Sequence, residues 1–133
     1  MRVGWNTWSL APSEEWEVID GPDCLSLTLN VDSALQVSSA IKQTGIVTEQ
    51  DLLYPEGERS SWGEPRRTSC GDFHGIMYEY EQNGAAWKQW FVSHENVLVY
   101  ITYIGTPDGA IREASAVSEV LKTLRANSGA RDA

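Results

Sequence analysis

The chain has 133 residues, of which 41% are hydrophobic and 22% charged, so its length and composition are those of one globular domain. Nineteen acidic and ten basic residues give a net charge of −9, which argues against binding to nucleic acids or anionic membranes, since both need basic surfaces. No apolar run approaches the roughly 18 residues of a membrane span, and the N-terminus lacks the apolar stretch of a signal peptide.

These features predict a cytoplasmic protein without membrane insertion. Cys24 and Cys70 are too few for a disulfide framework, and in a reducing compartment both are expected to be free thiols.

The N-terminal part is predicted to form short strands separated by turns. Pro12 and the run Gly21-Pro22-Asp23 mark the turns, because proline and glycine interrupt paired strands. Residues 34–41 fit one face of a strand or of a helix, and their serines and β-branched residues favour the strand. The predicted strands are therefore residues 5–10, 17–20, 24–30 and 34–41.

A short helix followed by a long polar loop is predicted next. Thr48 can cap a helix whose first turn is acidic, and Pro55 and Gly57 require that this helix be short. Residues 56–67 have no periodic pattern and are predicted to form a loop.

The segment 72–105 is predicted to be an antiparallel meander. Asn83-Gly84 is a strong signal for a two-residue hairpin turn, which places Tyr80 opposite Trp87 and Glu79 opposite Lys88. A second turn at Glu95-Asn96 places Val92 opposite Val99, Trp90 opposite Ile101 and Phe91 opposite Tyr100. Both faces of the meander are apolar, which predicts that both are covered.

The last element is predicted to be a helix that starts at Thr106-Pro107. Its apolar residues recur at helical spacing: Ala114, Val117, Val120, Leu121 and Leu124. Its polar side is assigned to Arg112, Glu113, Ser118, Glu119, Lys122 and Arg125. Residues 1–125 are thus predicted to be a single α/β (α+β) domain, and residues 126–133 a flexible tail.

The order of elements resembles that of PsbP-like and DcrB-like domains. The resemblance is carried by Leu10-Ala11-Pro12 with Trp16, by Gly71-Asp72-Phe73-His74-Gly75 before the aromatic meander, and by the closing Val120-Leu121-Lys122-Thr123-Leu124. It implies a PsbP-like sandwich, with a central antiparallel β-sheet covered by helices on both faces. Members of this architecture are mostly adaptors, accessory subunits or chaperones that bind other proteins.

Two groups of residues are candidates for a site. Cys70, Asp72 and His74 have the i, i+2, i+4 spacing that would place a thiol, a carboxylate and an imidazole on one face of a strand, as a nucleophile or as metal ligands. The alternative is that Gly71 and Gly75 mark backbone geometry and the three residues have no joint role. The second group consists of residues of the predicted loop that are typical of interfaces: Trp62, Arg59, Arg66 and Arg67.

Trp62 could instead fold back onto the core. Together these patterns favour a non-catalytic binding or adaptor domain, with no cofactor or metal, whose partner is another protein. The alternatives are a small-ligand-binding domain with an aromatic-lined pocket and an enzyme that uses Cys70, Asp72 and His74.

Overall fold

The computed structural model describes residues 2–52 and 62–127. Strands make up about half of it. The helices are Glu49–Leu52 (α1) and Pro107–Leu121 (α2). The strands are Val3–Gly4 (β1), Trp8–Leu10 (β2), Glu17–Asp20 (β3), Leu25–Thr28 (β4), Ala34–Ile41 (β5), Arg66–Cys70 (β6), Phe73–Gln82 (β7), Ala85–His94 (β8), Val97–Gly105 (β9) and Arg125–Ala126 (β10).

The strands form two antiparallel sheets. The larger has seven strands in the order β3-β4-β5-β9-β8-β7-β6, and the smaller joins β1, β2 and β10. Every cross-strand pair predicted for the meander is present, including Glu79 with Lys88 and Tyr80 with Trp87. The turn explains this agreement, because Asn83 and Gly84 have φ angles of 55° and 80°, as the predicted hairpin turn requires.

A second hairpin, between β6 and β7, is absent from the sequence prediction. Its two-residue turn is Gly71-Asp72, and Gly71 has a φ of 59°. The turn packs closely on the chain after α2: the Asp72 N–H donates to the Leu124 carbonyl oxygen at 3.0 Å, and a Cβ on Gly71 would lie 1.9 Å from that oxygen. The meander therefore begins at Arg66, inside the predicted loop.

The domain is mostly β and helices do not cover both faces of the sheet, so the predicted α/β class and the sandwich with helices on both faces are wrong. One face, here called the helix face, packs its apolar side chains against α2 and the smaller sheet. The other, the loop face, is covered over β7 and β8 by Val47, Leu52 and Trp62. The strands β5 and β9 carry polar residues such as Gln36 and Thr102 on this face, and such residues need no cover.

Glu113 fixes α2 to the sheet. It is 6% exposed, although the sequence analysis assigned it to the polar side of the helix. Its Oε1 accepts hydrogen bonds from the Tyr103 hydroxyl at 2.8 Å and from the Ser33 hydroxyl at 2.7 Å, and its Oε2 accepts one from the Asn30 amide. Gly105 leaves room for this contact, because a Cβ there would lie 2.7 Å from the Tyr103 hydroxyl oxygen.

The chain after α2 returns to the N-terminal segment. The helix ends at Leu121, earlier than predicted, and β10 then pairs with β2. The Asn127 amide donates to the Trp5 carbonyl at 2.8 Å, so residues 126 and 127, assigned to the tail by sequence, take part in the fold. Residues 128–133 lie outside the structure described. Within residues 2–52 and 62–127, neither helix combines the length and the apolar composition needed to cross a membrane.

We expect Gly71→Ala to destabilise the protein by about 3 kcal/mol or more, because it adds a steric clash with the Leu124 carbonyl to the strain of a positive φ. Gly84→Ala is the matched control, since Gly84 also has a positive φ but a Cβ added there would have no neighbouring atom within 4 Å. It should cost about 1 kcal/mol. Urea denaturation measures both, and equal losses would show that the Gly71–Leu124 contact is unimportant.

Tyr103 should make stability depend on alkaline pH. Burial, and secondly the hydrogen bond to Glu113, raise the pKa of Tyr103 to about 12, above the value of about 10 in an unfolded chain. Its stabilising contribution is complete below pH 10 and is lost as the pH rises towards 12, a change of about 2–3 kcal/mol. The test is to measure the free energy of unfolding of wild type and of Tyr103→Phe by denaturation at pH 8 and at pH 11. The stability difference between wild type and variant should shrink at pH 11, and a constant difference would contradict this assignment.

Candidate functional site

The strand β6 forms one edge of the seven-stranded sheet. The two-residue turn at Gly71-Asp72 makes Cys70 and Phe73 a hydrogen-bonded pair. Hydrogen-bonded and non-hydrogen-bonded pairs alternate along two antiparallel strands. Arg67 and Ser69 therefore direct their backbone N–H and C=O groups away from β7. Within the described part of the chain, the backbone of Ser69 has no hydrogen bond to another loop or strand. This edge can accept hydrogen bonds from a further strand.

A groove of about 260 Å³ lies on the helix face of β6, between the strands and α2. We call it the helix-side groove. Its lining includes Met77 and Val117, which are apolar, and Arg66, Glu79 and Lys88, which are charged. It shares Glu79 and Lys88 with a wider depression of about 750 Å³ beside the first turns of α2. A side chain that leaves the β6 edge on this face would enter a partly apolar, charged cleft.

Positive charge exceeds negative charge in the helix-side groove. Glu79 is shared, since one of its oxygens pairs with Arg66 and the other lies 3.7 Å from Lys88 Nζ. Burial, and secondly the charge of Arg66, lower the pKa of Lys88, whose side chain is 17% exposed. Lys122 also lines the groove. Of the groove residues that the structure describes, three are cations and one is a carboxylate.

A second groove, of about 550 Å³, lies on the loop face of β6, and we call it the loop-side groove. Val47, Leu52 and Ile76 provide apolar lining. Ser69 and His74 provide polar lining, and their Oγ and Nδ1 atoms are 2.9 Å apart. The β6 edge therefore has a cleft on each of its two faces.

Cys70, Asp72 and His74 do not form a joint site, so the prediction that they share one face is wrong. The chain reverses at Gly71-Asp72, which places Cys70 in the core of the helix face and His74 on the loop face. The Asp72 carboxylate accepts a hydrogen bond from the Ala126 N–H at 3.0 Å and so holds β10 in place. Across residues 2–52 and 62–127 there is no group of three potential metal-ligating side chains.

The predicted interface residues are distributed over different surroundings. Trp62 is 9% exposed and stacks on Tyr80, with ring centroids 5.5 Å apart, so its side chain belongs to the packing of the loop face. Arg66 and Arg67 lie on opposite faces of β6 and line different grooves. Arg59 lies outside the described residues. Whether Trp62 also contacts a partner remains a prediction.

Three residues of this site were missed by the sequence analysis: Ser69, Lys88 and Lys122. The signal that could have found Ser69 is the Gly71-Asp72 dipeptide, because glycine at the first central position is typical of a hairpin turn. That turn predicts a strand at residues 66–70 that pairs with β7, whereas its position at the sheet edge follows only from the strand order.

The two thiols should differ in reactivity. Both are free, as predicted, but Cys70 is 1% exposed and burial raises its pKa to about 12, whereas Cys24 is partly exposed. Since the thiolate is the reactive form, a thiol reagent at pH 8 should modify Cys24 rapidly and Cys70 only after unfolding. Cys24→Ser should remove the rapid phase. A rapid phase that persists in this variant would contradict the buried position of Cys70.

Comparison with known proteins identifies the fold and no family. The sequence matches no protein-family model and no curated protein. A solved structure from Bacteroides thetaiotaomicron VPI-5482 is similar, with a TM-score of 0.62 and 16% identity over 90% of this chain; the match covers 44% of that protein. LpqN, which is involved in cell envelope biogenesis of Mycobacterium tuberculosis, has a TM-score of 0.62 and 13% identity over 95% of this chain and 89% of its own. At these identities the likeness concerns the fold alone.

Proposed function

We propose that this chain is a non-catalytic binding domain whose partner is another protein, and that it binds an extended segment of that partner along β6. The observation that carries the proposal is an edge strand with a groove on each face. Added strands gain affinity from main-chain hydrogen bonds and specificity from clefts that receive alternate side chains. The open edge of β6 offers the main-chain hydrogen bonds, and the two grooves offer the clefts for side chains.

The residues on β6 support this mode of binding. Arg66, Thr68 and Cys70 share the helix face, whereas Arg67 and Ser69 share the loop face. Arg66 and Cys70 line only the helix-side groove and Arg67 only the loop-side groove, whereas Thr68 and Ser69 border both. Successive side chains of an added strand would likewise point to opposite faces, and each would meet one groove.

The alternative functions have less support. An enzyme would need its candidate groups to converge, and Cys70 is a buried thiol with a raised pKa on the opposite face from His74. A small-ligand site would need an enclosed aromatic pocket. The two grooves are open clefts, and the wider depression beside α2, which Tyr80 and Trp87 help to line, is open as well. The cytoplasmic location predicted from the sequence belongs to the same proposal.

We expect Ser69→Pro to abolish partner binding while the fold is retained. Proline removes the N–H that faces the open edge and leaves the β6–β7 hydrogen bonds intact, as prolines at sheet edges do. Ser69→Ala is the matched control, since it removes the same hydroxyl group but keeps the N–H. Affinity capture from the native host, read by mass spectrometry, should give the same partner with wild type and Ser69→Ala only.

Circular dichroism should show an unchanged fold for both variants. Capture of the same partner by folded Ser69→Pro, at wild-type yield, would refute binding by strand addition.

A further inference from the structure

We infer that the segment bound along β6 is acidic on one side, with Asp or Glu residues that face the helix-side groove alternating with aliphatic residues that face the loop-side groove. This inference rests on the function proposed above and adds the chemical class of the bound segment.

The charges of the helix-side groove select the acidic residues. Among the described residues that line this groove, Arg66, Lys88 and Lys122 are accompanied by one acid, Glu79, which is already shared between Arg66 and Lys88. A carboxylate that enters from the edge would meet cations whose charge Glu79 only partly compensates. The Lys88 side chain is largely shielded from water, so its interaction with an incoming carboxylate would be weakly screened.

The chemistry of the loop-side groove differs. Its apolar lining, Val47, Leu52 and Ile76, is continuous with the buried cluster under Trp62. An aliphatic side chain would extend this cluster and bury further apolar area.

The net charge of the chain confines the attraction to this edge. At −9 the protein as a whole repels acidic segments, but charges beyond about 8–10 Å are largely screened at physiological salt. Short-range contacts with the cations of the helix-side groove therefore determine binding. An acidic peptide should bind here and be rejected elsewhere on the surface.

Synthetic peptides test this inference directly. The probe is a fluorescein-labelled octapeptide of alternating Glu and Val, with blocked ends, and binding is followed by fluorescence polarisation at 0.15 M salt. One comparison peptide has Gln at every Glu position. A second has four Glu followed by four Val, which keeps the composition and charge but removes the alternation. The proteins are wild type, Ser69→Ala, Ser69→Pro and Arg66→Gln, each checked by circular dichroism.

The alternating acidic peptide should bind wild type and Ser69→Ala with similar affinity and should not bind Ser69→Pro. The Gln peptide should bind about tenfold more weakly, which corresponds to about 1.4 kcal/mol, and the block peptide should also be weaker. Arg66→Gln should reduce the preference for Glu over Gln.

Different results would contradict the acidic preference and the binding by strand addition. If the Gln and Glu peptides bind wild type equally and neither binds Ser69→Pro, the acidic preference is wrong and strand addition stands. If the acidic peptide binds Ser69→Pro as well as wild type, strand addition itself is wrong. If none of the peptides binds wild type, the inferred acidic-aliphatic pattern is wrong, and the capture experiment with Ser69→Pro still decides the proposed function.

Discussion

The buried carboxylate of Glu113 is the contact on which the arrangement of the domain depends. A charged group in the interior is tolerated only when it is hydrogen-bonded, and here its donors come from β9 and from the chain between β4 and β5. A shift of α2 along its own axis by one helical turn would leave Glu113 without these donors. The contact therefore fixes the position of the helix more strictly than its aliphatic side chains, which could pack in neighbouring registers.

The fixed position of α2 shapes the helix-side groove beside the β6 edge. Because α2 makes its main strand contacts with β8 and β9, part of the helix face of β6 and β7 around Arg66 and Glu79 stays open, and the helix-side groove lies there. An exposed edge strand is a hazard, since it can pair with any extended chain. Two arginines on a strand of only five residues reduce this hazard, because positive charges discourage pairing with apolar strands. The two arginines that would attract an acidic segment would thus also discourage pairing with apolar segments.

The sequence predicted those parts of the fold that short-range chemistry decides. Asn83-Gly84 sets a turn by its own conformational preference, and the turn then sets the register of β7 and β8. Glu113 was misassigned because its donors are supplied by distant strands, although its spacing from Ala110 and Val117 places it on the apolar face. The grooves could not be predicted, because they arise from where α2 sits on the sheet. The candidate residues Arg66 and Arg67 were found, but their division between two faces required the hairpin at Gly71-Asp72.

The small sheet of β1, β2 and β10 has a consequence for how the protein is made. It joins segments about 118 residues apart, as the bond between Ser9 and Asn127 shows. During synthesis, β2 is made long before β10 and stays unpaired with it until the chain as far as Arg125, the partner of Ser9, has left the ribosome. Trp8 and Leu10, which are fully buried in the finished domain, therefore spend that time without their final cover. A nascent chain of this protein therefore presents the apolar β2 segment to chaperones until β10 is made, and a translational pause before β10 would prolong that exposure.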